Sequence, residues 1–278
     1  MRKAISTFVF VKSRLHSGML DKLAHAGAEA IELFAARGHV DYTDRQQIRE
    51  LANWFKHNGV PLNSLHAPMY SDYEWGRTGT PPINIVDRDK RRRVESLDEI
   101  KRALEVAEQI PFTYLVQHLG TAGEEFDEHK FEWALSSIEH LHAFARPLGV
   151  KVLLENIPNQ MATPQKLAEL INTLHIADLG VCFDFGHAHV MSSVEEAFAI
   201  LKPHICSTHV HDNKRERDDH LFPGEGSIDW KEAMTLLRDA PHVPPVLLEI
   251  EGEGRKDIFD KYVESFSMLE RAGEARKS

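Results

Sequence analysis

Eight short apolar, β-branched runs alternate with eight amphipathic segments along the whole chain, and no linker interrupts the rhythm. The runs are Ala4–Val11, Ala28–Ala35, Leu62–His66, Thr113–His118, Val150–Asn156, Leu179–Asp184, Ile205–His211 and Val246–Glu251. Between and after them, helical patterns lie near Leu20–Ala26, Thr43–His57, Asp87–Gln109, Asp127–Pro147, from Pro164, near Ser193–Leu201, and over Asp229–Arg238 and Asp257–Ala272. Asp44 or Thr43 supplies a helix cap, as does Thr163 ahead of Pro164 at a first helical position. Strands that alternate with helices pair in parallel through right-handed crossovers. Eight such units predict a closed (β/α)8 TIM barrel, which as one domain spans 1–278. An open doubly wound sheet shares the periodicity, but no Gly-rich phosphate fingerprint follows the first run.

Composition narrows the class. No apolar run approaches the ~20 residues that span a bilayer, so no membrane is expected. The N-terminal apolar stretch is short and lacks a small-residue cleavage site, and two cysteines are too few for a disulfide framework. A reducing cytoplasm is the expected location. The net charge of −10 argues against a general nucleic-acid partner, since phosphate contact needs Lys and Arg. Among charge runs, Arg88–Arg93 (RDKRRR) reads as a solvated helix start rather than a phosphate grip.

Seventeen histidines are present, and many stand directly after the apolar runs. His66 ends the third run, His118 the fourth, Glu155 the fifth, Asp184 with His187 the sixth, and His209 the seventh. Asp218 and His220 follow in the seventh loop, and Glu249 lies on the eighth run. The C-terminal strand ends of a (β/α) barrel converge on one mouth. Four carboxylates there raise one another's pKa or need a compensating cation, and no strand end offers Lys or Arg. Imidazole and carboxylate together are the ligand set of Zn²⁺, Mn²⁺, Fe²⁺ or Co²⁺ rather than Ca²⁺, with Zn²⁺ or Mn²⁺ favoured and Mg²⁺ also compatible. A divalent metal centre of one to three ions is the expected cofactor. His187 and His189 are one residue apart, so both do not face the site, and His187 is the candidate. Trp75 and Tyr73, in the long third loop to Val86, are placed to close over a sugar ring.

The segments HAP (His66–Pro68), LLEN (Leu153–Asn156), CFDFGHAH (Cys182–His189), HVHDN (His209–Asn213) and DDHLFPGEGSIDW (Asp218–Trp230) resemble the xylose isomerase-like TIM barrel superfamily. That superfamily contains sugar isomerases, epimerases and endonuclease IV-type apurinic endonucleases. The resemblance implies that Glu155, Asp184, His209 and Glu249 are the metal ligands shared by the epimerase branch. It implies that His66, His118, His187, Asp218 and His220 match the added ligands of the three-zinc endonuclease site, with Glu155 bridging two ions. ENIPNQ (Glu155–Gln160) and QHLG (Gln117–Gly120) depart from the ENTAG and HPGS-like turns of the endonuclease branch. A metal-dependent isomerase or epimerase of a sugar or sugar phosphate is therefore expected, acting through an enediolate. The alternatives are an endonuclease IV-like zinc phosphodiesterase at abasic DNA sites and a lyase or dehydratase. Glu155 and Glu249 are the expected acid/base pair on opposite sides of the substrate. His187 and Trp75 are expected to contact it. A homo-oligomer is compatible with the sequence.

Overall fold

A computed structural model describes residues 1–274 apart from 76, 78, 242 and 253. Two residues of the long third loop and the last four of the expected 1–278 domain thus lie outside the described residues. The strands are β1 Lys3–Ser6, β2 Ala30–Phe34, β3 Leu62–His66, β4 Tyr114–Gln117, β5 Lys151–Glu155, β6 Gly180–Asp184, β7 Ile205–His209 and β8 Val246–Leu248. All pair in parallel, in the order β7-β6-β5-β4-β3-β2-β1-β8. The seam between β7 and β8 is closed by a single parallel bridge from Val210 to Leu248. The fold is a (β/α)8 barrel.

Among the described residues the helices are α1 Ser17–His25, α2 Arg45–Asn58, α3 Lys90–Leu104, α4 Glu128–Ala145, α5 Pro164–Leu174, α6 Phe185–Met191, α7 Val194–Leu201, α8 Trp230–Arg238 and α9 Ile258–Glu274. Side-chain caps set many of their starts. Asp44 accepts from the amides of Gln46 and Gln47, and Thr163 caps α5 with Pro164 at its first position. Helix faces and the outward side of the sheet form the main apolar core, which holds Leu154, Ile138 and Leu167, all fully buried. Truncating Leu154 to Ala there costs about 2–5 kcal/mol. Separate small clusters fill the barrel interior: Ala4, Ala30 and Leu247, and Val116, Leu153 and Cys182.

Three expectations need correction. β1 ends at Ser6 rather than Val11, because Ser6 Oγ accepts from the Phe8 amide and starts a 3₁₀ turn over Thr7–Phe10. Thr7 Oγ1 then takes the Phe34 amide that a longer β1 would have paired. β7 and β8 also stop short of His211 and Glu251. Asp212 exchanges both backbone hydrogen bonds with Leu221, and the Glu251 amide donates to the His220 carbonyl. The loop after β7 therefore fills the open seam above Val210. Third, a short helix, α6, follows β6 directly, ahead of the helix expected near Ser193–Leu201, and Asp184 caps it by accepting the His187 amide at 2.6 Å.

Candidate metal centre

Side chains alternate in direction along a strand, so residues two apart share a face. Val116, Leu153, Cys182 and Leu247 face the barrel interior. Two residues further on stand His118, Glu155, Asp184 and Glu249 at the mouth. Glu155, Asp184, His209 and Glu249 are no more than 3% exposed. His209 Nδ1 lies 3.1 Å from Glu155, 3.6 Å from Glu249 and 3.8 Å from Asp184. One donor atom from each of the four residues falls within 4.8 Å of the others.

Burial opposes charge on these groups, but their neighbours outweigh it. It pushes the Glu155 carboxyl up, while His209 and His118 bring it well below its ordinary range. It pushes His209 down, while Glu249, Glu155 and Glu32 help hold it well above its ordinary value. Glu249 Oε1 is buried with no hydrogen-bond partner.

Glu155 also belongs to a second group. His118 Nε2 lies 3.0 Å and His66 Nε2 3.4 Å from its Oε2 atom. His66 Nδ1 is 2.8 Å from the Ala67 carbonyl, so its proton sits on that nitrogen when the ring is neutral. A lone pair on Nε2 then faces a carboxylate lone pair.

The third group repeats this arrangement. His187 Nδ1 reaches the Asn156 carbonyl at 3.0 Å, and His220 Nδ1 reaches the Glu249 carbonyl at 3.0 Å. Their Nε2 atoms both lie 3.0 Å from Asp218 Oδ2. His211 joins them, with Nε2 3.0 Å from Asp184 and 3.6 Å from Asp218. Acceptors turned toward acceptors in a buried site call for protons or a cation between them. The all-nitrogen-and-oxygen donor set, with the far nitrogens of His66, His187 and His220 tied to backbone carbonyls, fits a transition-type divalent ion. The orphaned Glu249 oxygen supports that fit.

All nine residues expected to bind metal thus face one mouth. Sequence reasoning passed over four other contributors. Glu32 of β2 is fully buried, accepts from Ser64 Oγ and lies 3.2 Å from His209 Nε2. It can orient that ring from behind. His211 is the second. Asn156 exchanges hydrogen bonds with the Asp184 backbone at 2.8 and 2.9 Å. Asp212, fully buried, accepts from the amides of Gly224 and Ile228 and from Trp230 Nε1. It thereby ties down the loop that carries Asp218 and His220. A side chain at Gly226 would meet Asp212 Oδ1 at 2.3 Å, so that position is restricted to glycine. His189 bonds Ser227 Oγ instead of facing Asp218.

Above the centre lies a cavity of about 360 Å³ with an apolar wall of Phe8, Phe34 and Trp75. Trp75 packs edge-on to Phe34, with centroids 5.2 Å apart, whereas Tyr73 is exposed beside Arg37. A second cavity of about 420 Å³ adjoins it, shares His66 and His118, and runs toward Gln117 and Thr121. Arg77 pairs with Asp72, and Arg217 with Asp219. The Arg88–Arg93 run lies at the start of α3, where Arg91 pairs with Glu95 and Arg93 stacks on Trp133.

Known proteins resemble this chain in sequence or in fold. The chain is 27% identical to the uncharacterized protein MJ1311 of Methanocaldococcus jannaschii, over 95% of this chain and 90% of that one. It is 22% identical to fructoselysine 3-epimerase of Escherichia coli O157:H7, over 77% of each. Among solved structures, a D-tagatose 3-epimerase-like protein superposes with a TM-score of 0.81 at 24% identity, covering 99% and 98% of the two chains. The IOLI protein with a bound zinc atom superposes at 0.76 and 18% identity, covering 98% and 96%. The profile of the xylose isomerase-like TIM barrel family matches residues 20–272, and the chain belongs to that family.

Proposed function

We propose that the protein is a metal-dependent isomerase or epimerase of a sugar or sugar phosphate that moves a proton beside a carbonyl through an enediolate. The observation that carries this reading is the buried quartet. Glu155 and Glu249 approach one histidine from strands three positions apart around the barrel, beneath a cavity of about 360 Å³. A divalent ion held by Glu155, Asp184, His209 and Glu249 would supply Lewis acidity to a carbonyl and its neighbouring hydroxyl.

The remaining work falls to side chains. One glutamate takes the carbon-bound proton, and the other returns a proton on the opposite face when configuration is inverted. Asp184 and His209 hold the geometry, His187 faces a substrate hydroxyl or a further ion, and Trp75 covers an apolar ring face. Fructoselysine 3-epimerase, by its name, acts on a ketose derivative, which supports this substrate class.

The full set of three donor groups also favours a second reading, a zinc phosphodiesterase at abasic sites. Against it, Arg77 and Arg217 at the mouth are already paired with carboxylates, leaving them poorly placed for backbone phosphates. Metal-loaded protein should be assayed with free ketoses, ketose phosphates and abasic duplex DNA. Interconversion of a ketose with its epimer or isomer is expected. Cleavage of the duplex with no sugar turnover would reverse the order of the two readings.

A further inference from the structure

We infer that His211 is a proton-bearing bridge between two carboxylates, and that it positions them for metal without ligating it. The inference rests on the metal-binding reading above and deepens it. His211 is fully buried between Asp184 of the inner quartet and Asp218 of the outer group. Its Nε2 atom is within hydrogen-bond reach of Asp184 at 3.0 Å and stands 3.6 Å from Asp218, so distance alone leaves the role open.

The other ring nitrogen settles it. His66, His187 and His220 each place Nδ1 against a backbone carbonyl, and His209 places Nε2 against Glu32. Ligating histidines characteristically give up their second N–H in this way. His211 Nδ1 is instead buried without any hydrogen-bond partner. Ligation through Nε2 would force the ring proton onto Nδ1 and leave a buried, unpaired donor. With the proton on Nε2, the ring donates to Asp184 at 3.0 Å and only a lone pair is left unpaired. Buried orphan N–H groups are rarer in proteins than unpaired acceptors.

Packing holds the ring in this plane. It lies flat on His220, with centroids 3.9 Å apart. A side chain at Gly186 would meet its Cε1 atom at 2.0 Å, so the glycine makes room for the ring. Since Asp184 and Asp218 belong to different donor groups, the bridge also couples the inner and outer sites.

Two measurements test the bridge. In zinc-loaded protein with ¹⁵N-labelled histidine, nitrogen shifts should report a proton on His211 Nε2 and no coordination, unlike the metal-bound rings of His187 and His220. Zinc titration gives a readout independent of activity. His211→Ala should weaken binding about 10- to 100-fold without removing an ion from the stoichiometry. His211→Gln, whose amide can still donate to Asp184, should restore most of that loss, and Gly186→Ala should mimic His211→Ala. A zinc-coordinated nitrogen on His211, or loss of one ion in both His211→Ala and His211→Gln, would overturn the inference while leaving the metal centre intact. If the wild-type protein took up no divalent ion, the metal reading itself would fall. The ring tautomer of the metal-free protein would then still decide whether His211 is the bridge.

Discussion

The inner quartet and the outer group have similar donor chemistry but are built by different means. Glu155, Asp184 and His209 are the last residues of β5, β6 and β7, and Glu249 directly follows β8. Their positions are fixed by the ladder that builds the barrel. His187 comes from the short α6, while Asp218 and His220 come from a loop inserted in the β7–β8 seam. The Asp218 side chain is 31% exposed against 4% or less for the inner side chains. His220 adopts φ of 45°, which non-glycine residues seldom take. A barrel can therefore specify an inner site with little added sequence, whereas the outer site depends on the buried Asp212 anchor.

The largest effect is expected at the residue shared by the quartet and the His66–His118 pair. Glu155 contacts the quartet and the His66–His118 pair, so Glu155→Gln should lower kcat at least ~10²-fold and reduce metal content together. Retention of full metal and normal turnover would remove Glu155 from both roles. Asp212→Ala attacks only the loop. Losing an acceptor shared by Gly224, Ile228 and Trp230 should cost about 2–4 kcal/mol in urea unfolding. It should strip the outer ion before the inner one; equal loss from both groups would contradict a loop-borne outer site.

A smaller effect is expected above the centre. Trp75→Ala should raise KM about 5- to 10-fold with kcat nearly unchanged, because it removes an apolar wall and no proton-transfer group. A kcat loss matching that of Glu155→Gln would place Trp75 in the chemistry.

The smallest effect is a pH response of the chelated protein. Burial pushes His220 down, but Asp218 raises it to about 9. Its stabilisation is complete below the ordinary histidine value near 6.5 and is lost as pH rises through 9. The Asp218 carboxyl is held far below its ordinary range, mainly by His220 and His187 against the opposing effect of burial. Its stabilisation is present above about 3.8 and is lost in acid. In chelator, Tm should fall by a few degrees between about pH 7 and 9.5. With zinc, Tm should rise between about pH 5 and 7, because ligand histidines must lose protons to bind. Identical pH profiles with and without metal would deny that these histidines are ligands.

The sequence reveals the inner site more fully than the outer one for the same reason. A strand fixes side-chain direction every second residue, so a histidine or carboxylate that ends an apolar run is legible as a mouth residue. Glu32 is harder to see because it lies two positions before its strand end with apolar neighbours on both sides. His211 shares the parity of His209 in ICSTHVH, a readable signal for a mouth residue. Its bridging geometry appears only once Asp184 and Asp218, 34 residues apart in sequence, are brought together. The seven residues of α6 are too few to show a periodic stripe, and the capping role of Asp184 is masked by its place in the quartet. The seam depends on which backbone groups Asp212 and Glu251 choose, a tertiary competition that local patterning does not encode.

A metal held by the quartet is expected to enable Glu155 and Glu249 to move a carbon-bound proton. Solvent exchange measures that event directly. Protein stripped with chelator, then reconstituted with Zn²⁺ or Mn²⁺, is incubated in deuterated water with a panel of free and phosphorylated ketoses. Deuterium should enter at a carbon beside the carbonyl only after reconstitution, and Glu155→Gln and Glu249→Gln should each slow it at least ~10²-fold. Exchange that persists in chelator, or proceeds at the normal rate in either fully metal-loaded Gln variant, would contradict the account.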